Sequence, residues 1–167
     1  CPKNQIDAEI MLADLQKGGF TIVADAAMAE VVIINTCGFI EDAKAEAIEK
    51  ILKETGFDRC MVFCNTKGTT ERITKFLQMR DIDAQCIHGD IPQRKREQVM
   101  NLFRDGKLRV FVSTDVAARG LDIDDVDAVF NYDVPDENEY YIHRIGRTGR
   151  AKRHGVAFTL VSTITEG

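Results

Sequence analysis

Short apolar runs alternate with amphipathic stretches along the whole sequence. The runs "FTIVA" (20–24), "VVIINT" (31–36), "CMVFCN" (60–65), "AQCIHG" (84–89), "RVFVST" (109–114), "AVFNYD" (128–133) and "GVAFTLV" (155–161) are rich in β-branched residues and read as strands. Between them, helices are predicted over Ile6–Lys17, Asp42–Thr55, Thr70–Arg80, Gln93–Arg104 and Glu137–Arg144. In the second of these, Ala43, Ala47, Ile48, Ile51 and Leu52 recur at helical spacing. Thr69 is the expected cap of the third, with Arg72 at its N3 position. Gly18, Gly56 and Gly106 stand just past helical segments, where a left-handed residue ends a helix. The crossover "DVAARGLDIDDVD" is short, so it is expected to be only partly helical. Continuous strands alternating with helices predict an α/β three-layer sandwich, its mainly parallel sheet flanked by helices. Sites in such folds sit at the carboxyl ends of strands, here "NTCG", "FCNT", "HGD" and "STD". The chain opens with "CPKN" directly before a helix, where a doubly wound fold would supply a first strand. An upstream segment missing from the sequence, or a fold cut at this point, would each explain that.

Composition narrows the picture modestly. The 167 residues suit one domain with a sizeable core, and 44% hydrophobic with 29% charged residues is ordinary for a globular chain. No stretch approaches the ~20 apolar residues of a membrane span, and no secretory signal is read at the start. The five cysteines (Cys1, Cys37, Cys60, Cys64, Cys86) are an odd number without tight metal spacing. Cys60 and Cys64 share a strand face at about 13 Å, too far for a disulfide. A reduced, cytoplasmic setting is the expectation. The net charge of −5 is unevenly placed: residues 1–56 hold 5 basic and 10 acidic side chains, whereas 57–167 hold 17 of each. Any nucleic-acid surface is therefore a local patch in the later part.

That part contains "YIHRIGRTGR" (141–150), with Arg144, Arg147 and Arg150 at three-residue steps and two glycines between them. Guanidinium groups on a glycine-loosened turn suit a ligand with several anionic oxygens. The plainer reading is a solvated basic turn. The acidic run "DIDDVD" (122–127) lacks the glycine and distal Glu of a calcium loop and reads as a solvated crossover.

From about Asp58 to Ser162 four collinear motifs, "VFCNT", "HGDIPQRKREQVMNLFRDG", "VSTDVAARGLDI" and "YIHRIGRTGR", closely resemble the second RecA-like lobe of DEAD-box RNA helicases. The resemblance implies that Arg147 and Arg150 are arginine fingers toward the γ-phosphate of ATP, with Gly120, Asp122 and His143 also on the nucleotide side. It implies that Gly89, Arg96 and Thr114 hold RNA phosphates. A metal role for His88 or His143 is not expected, since both match motif positions. The sequence contains neither a G-x-x-x-x-G-K followed by Ser or Thr nor a D-E-A-D. Fingers without that phosphate cradle and its magnesium-holding carboxylate are expected to stay silent.

Residues 1–55, through "CPKN" and "NTCGFIEDAK", instead resemble the amino-terminal domain of radical-SAM methylthiotransferases. In that family three cysteines bind a 4Fe–4S cluster. Two map to Cys1 and Cys37, and Cys64 falls near the strand end where the third would stand. The radical-SAM C-x-x-x-C-x-x-C is absent.

Two families thus meet between about Glu46 and Asp58, inside one helix and the loop after it. Such a splice implies an engineered chimera, a flavodoxin-like fragment (1–56) joined to a RecA-like fragment (57–167) as one α/β domain. The expected function is an inert fold with latent ATP-phosphate and RNA contacts. The alternatives are a weak RNA-binding module, the carboxyl-terminal lobe of an ATP-dependent RNA helicase, or an adventitious iron–sulfur protein on Cys1, Cys37 and Cys64. Otherwise no cofactor is expected, since ATP with magnesium and the 4Fe–4S cluster are implied only by the parent families. RNA is the implied partner, bound weakly. No obligate protein partner is evident, although a truncated sheet would allow a swapped dimer.

Overall fold

Six parallel strands form one sheet among the described residues: β1 (Val31–Thr36), β2 (Cys60–Cys64), β3 (Ala84–Ile87), β4 (Val110–Thr114), β5 (Ala128–Asn131) and β6 (Val156–Ser162), in the order β1-β6-β5-β2-β4-β3. Between them run α1 (Ala43–Thr55), α2 (Lys67–Met79), α3 (Gln93–Arg104), α4 (Asp115–Ala118) and α5 (Asn138–Ile145). The computed structural model describes residues 29–36, 42–135, 137–148 and 155–162, together with Glu9, Ala13, Gln16, Lys17, Gly19 and 21–23.

Side-chain alternation along the strands splits the core into two layers. On one face Cys60, Val62 and Cys64 of β2, Val110 and Val112 of β4 and Phe130 of β5 pack beneath Ala45, Ile48 and Leu52 of α1 and Ile73 and Leu77 of α2. On the other, Met61, Phe63, Phe111 and Val129 pack against Val99, Met100 and Phe103 of α3 and Ala117 and Ala118 of α4. This is the three-layer arrangement the alternation of strands and helices predicts, and every strand pairing is parallel.

The amino-terminal fragment joins this sheet directly. β1 lies beside β6 in register, Val31 opposite Ala157 through Thr36 opposite Ser162. Its Val32 and Ile34 pack against the same apolar cluster as α1, β2 and β6. Polar contacts tie α1 and the loop after it to the rest. Arg109 donates from Nη2 to the Leu52 carbonyl and from Nε to that of Phe57, at 2.5 and 2.7 Å. Lys44 reaches the Tyr132 carbonyl, and Arg80 pairs with Glu49. Gly56, at φ +66°, ends α1 in the left-handed conformation expected of it.

Two expectations are corrected. The run 20–24 was expected to be a strand, but Thr21, Ile22 and Val23 are exposed and belong to none, while Phe20 and Ala24 lie outside the described residues. Ile22 and Val23 are 40 and 44% exposed, and a β-branched run becomes a strand only where a neighbour takes its backbone groups. Helix α2 begins at Lys67, three residues before the expected start, and Thr66 caps it by accepting from the Thr69 N–H at 3.2 Å. Thr69 therefore supplies a capped N–H instead of being the cap. Within the expected helix Ile6–Lys17, Glu9, Ala13, Gln16 and Lys17 are helical, and the remainder lies outside the described residues, as does Gly18. α3 spans the expected residues, and the crossover after β4 is helical only over Asp115–Ala118.

Candidate functional site

The carboxyl ends of β3 and β4 carry Gly89 and Thr114, where a parallel sheet places its sites. β4 hands over to α4 at Thr114, whose buried hydroxyl accepts from the Ala117 N–H and caps the helix. The next residue, Asp115, lies under Arg144 of α5. Arg144 is 1% exposed, the largest fully buried side chain among those described. Its Nε and Nη2 clasp both oxygens of Asp115 at 2.7 and 2.6 Å. Nη1 donates to the Asp133 carbonyl and Nη2 also to Asn65 Oδ1. The guanidinium stands over the Phe63 ring, 5.4 Å from its centroid. The reading of Arg144 as part of a phosphate-binding cluster is thereby corrected: its donors are spent inside the fold, holding together the ends of β2, β4 and β5.

Arg147 sits one turn further on. Nη1 donates to the carbonyls of Leu121 and Ile123 at 2.7 and 3.1 Å, and Nη2 to that of Ala118 at 3.3 Å. Nε takes no part in this set. The same crossover carries Gly120 and Asp122. Gly120 has φ +78°, where any side chain would be strained, and Asp122 is exposed. Both line a cleft of about 560 Å³ together with Arg96 and Arg104 of α3 and Arg119. His143 is exposed on the last turn of α5, and Arg150 lies outside the described residues.

A second cluster surrounds Gly89, just beyond β3. His88 is buried, with Nε2 2.9 Å from Glu71 Oε1 and Nδ1 accepting from the Asp90 N–H at 3.3 Å. Since Nδ1 accepts, Nε2 carries the ring proton and donates to Glu71. Arg96 donates to the carbonyls of His88 and Ile91, closing the loop from below. Lys67, at the start of α2, pairs with Asp90 at 2.7 Å, and a Cβ on Gly89 would meet its Cε at 3.3 Å. Lys67 was not singled out in the sequence. The available signal was its place two residues past the strand end "FCN", where a helix start faces the site.

The structure thus places Gly120 and Asp122 on one crossover, to whose carbonyls Arg147 donates, with Arg96 across the cleft. It sets Gly89 and Thr114 on neighbouring strand ends. Cys64 does not join them. It is fully buried, and burial pushes its thiol well above the usual range, with Asp133 adding to the effect. Its side chain packs in the apolar cluster beneath α1 and α2, away from these strand-end groups. Cys1 and Cys37 lie outside the described residues. Among the described residues no group of His, Cys, Asp or Glu side chains could hold a metal ion.

Comparison with known proteins fits this arrangement. Residues 43–152 match the family model for the helicase conserved C-terminal domain, and the chain belongs to that family. Residues 1–82 match the model described as uncharacterized protein family UPF0004, the amino-terminal domain of radical-SAM methylthiotransferases. The two matches overlap over 43–82, the stretch that holds α1, β2 and α2. The chain is 42% identical to the ATP-dependent RNA helicase FAL1 of Kluyveromyces lactis over 73% of its own length and 31% of that protein's. It is 47% identical to the ATP-dependent RNA helicase RhlB of Shewanella sediminis, over 70% and 27%. It therefore spans about a third or less of these curated relatives. Among solved structures, the E. coli DEAD-box protein SrmB, bound to the regulator of ribonuclease activity A, superposes with a TM-score of 0.73 at 34% identity, covering 80% of this chain and 76% of that one. The C-terminal domain of the DEAD-box protein Dbp5 superposes at 0.71 with 30% identity, covering 83% and 79%. The chain is thus a RecA-like DEAD-box C-terminal domain fragment preceded by a methylthiotransferase-like segment. No described helix is long and apolar enough to cross a membrane.

Proposed function

We infer that this chain is an engineered chimera of two α/β folds, one domain in which 1–56 and 57–167 share a core, and that it is catalytically silent. The observation that carries the reading is the state of Arg147. Its terminal nitrogens rest on three carbonyls of the crossover that bears Asp122, so the finger is formed and parked. An arginine finger adds about 10³–10⁵ in rate, but only to a phosphate that other groups have already positioned. The sequence holds no glycine-rich cradle with its Lys and Ser/Thr. Gly120, Asp122, His143, Arg147 and Arg150 would therefore be half of a nucleotide site, with Gly89, Arg96 and Thr114 a residual RNA-phosphate surface. ATP supplies a transferable phosphoryl group when it is bound, and these residues can only orient and neutralise it. The parents' setting makes the cytoplasm its compartment. The deciding experiment is phosphate release from ATP with magnesium, with and without single-stranded RNA. Background rates are expected in both, and turnover abolished by Arg147→Ala would overturn the reading.

A weak RNA-binding module is the second reading, favoured by Lys67 beside Gly89. Lys67 stands at a helix start next to the loop that the resemblance assigns to RNA phosphate.

A further inference from the structure

Strand β1 pairs with β6 on one side, and among the described residues no strand pairs with its other side. The ladder geometry says which backbone groups that open edge presents. Ala157 donates to the Glu30 carbonyl, with Val31 opposite Ala157. In a parallel ladder the residues flanking Val31 bond to β6, so the N–H and C=O of Val32 and Ile34 point inward. Those of Val31, Ile33 and Asn35 point outward by alternation.

Among the described residues the edge has none of the features that keep such strands apart. "VVIINT" carries no charge, no proline and no glycine, and Val31, Val32, Ile33 and Ile34 are all only partly buried. It is also self-complementary. A second copy approaching antiparallel about a two-fold axis through Ile33 sets Ile33 against Ile33, Val31 against Asn35 and Val32 against Ile34. Each outward N–H then meets an outward C=O. Glu30, the nearest charge on the amino-terminal side, falls opposite Thr36 and not opposite its own copy. Like charges across such a pair would oppose association, and here there are none.

We propose that the open edge of β1 is a docking surface for a second copy of this chain, joined antiparallel through Ile33 into one continuous sheet. This differs from swapping, because no element leaves its own fold. The edge excludes a charged or proline-bearing strand and favours a neutral β-branched one, and β1 itself meets that requirement.

Light scattering on the intact chain from low micromolar to near-millimolar concentration tests the proposal. The weight-average mass should rise toward that of two chains. Amide exchange gives a residue-level readout: Val31, Ile33 and Asn35 should gain protection as concentration rises, while Val32 and Ile34 stay protected throughout. Ile33→Pro removes an outward N–H and no bond to β6, and proline is tolerated on such an edge. Ile33→Lys brings two ammonium groups together at the axis and serves if the proline variant fails to fold. Both should stay monomeric, whereas Met79→Lys, on the exposed end of α2, should dimerise as before. A monomer at every concentration overturns the proposal. So does a dimer that survives Ile33→Lys, or outward amides protected independently of concentration, which would mean that another segment of the same chain occupies the edge.

Discussion

Arg144 and Asp115 form a bidentate ion pair at 2.6 and 2.7 Å, with the guanidinium almost fully buried and the carboxylate side chain 15% exposed. The two lie 29 residues apart, on α5 and at the start of α4. Removing one partner of a buried pair leaves the other uncompensated and costs about 3–5 kcal/mol. Arg144→Ala should therefore lower the urea midpoint by most of the stability of a marginal domain. Arg147→Ala removes bonds to backbone carbonyls at a half-buried site and should cost nearer 1 kcal/mol. Equal losses in the two variants would contradict the division of roles between these arginines.

The cap of α2 gives a smaller and sharper test. Thr66 accepts from the Thr69 N–H, and its own hydroxyl lies 2.8 Å from that of Thr69. Loss of such a cap costs about 1 kcal/mol, so Thr66→Ala should lower the unfolding free energy by that amount. Thr69→Ala leaves the capping bond in place and should cost clearly less. The reverse order would restore the start of the helix expected from sequence.

These two cases mark what was legible and what was not. Strand and helix identities from 57 to 162 follow from periodicity, because each run is long enough to carry its own signal. The start of α2 did not, because Lys67 and Gly68 have no apolar side chain to mark the first turn. "FTIVA" misled because composition states that a run can be a strand, not that a neighbour exists. The three arginines look equivalent at three-residue steps. Only the fold places Asp115, Asp133 and Asn65 around the first and the Leu121–Ile123 carbonyls around the second. Motif resemblance found the crossover and the Gly89 loop, but Lys67 lay outside what it singled out.

The buried thiols predict a pH dependence. Burial pushes Cys60 up to about 12, with Asp127 adding to the shift, and moves Cys64 in the same direction. A thiol in the unfolded chain ionises near about pH 8.5, so above that value the unfolded state gives up protons that the folded state keeps. This contribution to stability is complete below about pH 8.5 and declines as pH rises toward the folded-state values. At neutral pH a thiol-specific reagent should modify Cys60 and Cys64 only on unfolding, with the half-buried Cys86 reacting first among the three. Rapid modification of Cys64 in the native chain would place it outside the core.

RNA binding should be weak and only mildly salt-dependent, because a single lobe offers few phosphate contacts and residues 1–56 add net negative charge. Dissociation constants no tighter than roughly 10⁻⁴ to 10⁻⁶ M are expected near physiological salt, with a shallow salt slope. Lys67→Ala should weaken binding further without altering the unfolding midpoint, since its pair with Asp90 is exposed. Submicromolar binding would show a stronger patch than a single lobe is expected to offer, and indifference to Lys67→Ala would show that the Gly89 loop is not the contact surface.

The seam between the two fragments is the most exacting test. Leu52 of α1 is 1% exposed and lies in one apolar cluster with Cys60 and Val62 of β2, Ile73 of α2 and Phe158 of β6, against which Val32 and Ile34 of β1 also pack. Its carbonyl meanwhile accepts from Arg109, at the entrance to β4. If α1 closes the core of both fragments, truncating this side chain opens a cavity that neither can fill alone. Leu52→Ala should then cost about 2–5 kcal/mol. Arg109→Ala should add a separate loss of about 1 kcal/mol or more, by freeing the Leu52 and Phe57 carbonyls. In both variants near-UV and far-UV signals should move together, as one transition. Two resolved transitions, or a midpoint that Leu52→Ala barely shifts, would mean that residues 1–56 sit beside the helicase-like fold without sharing its core.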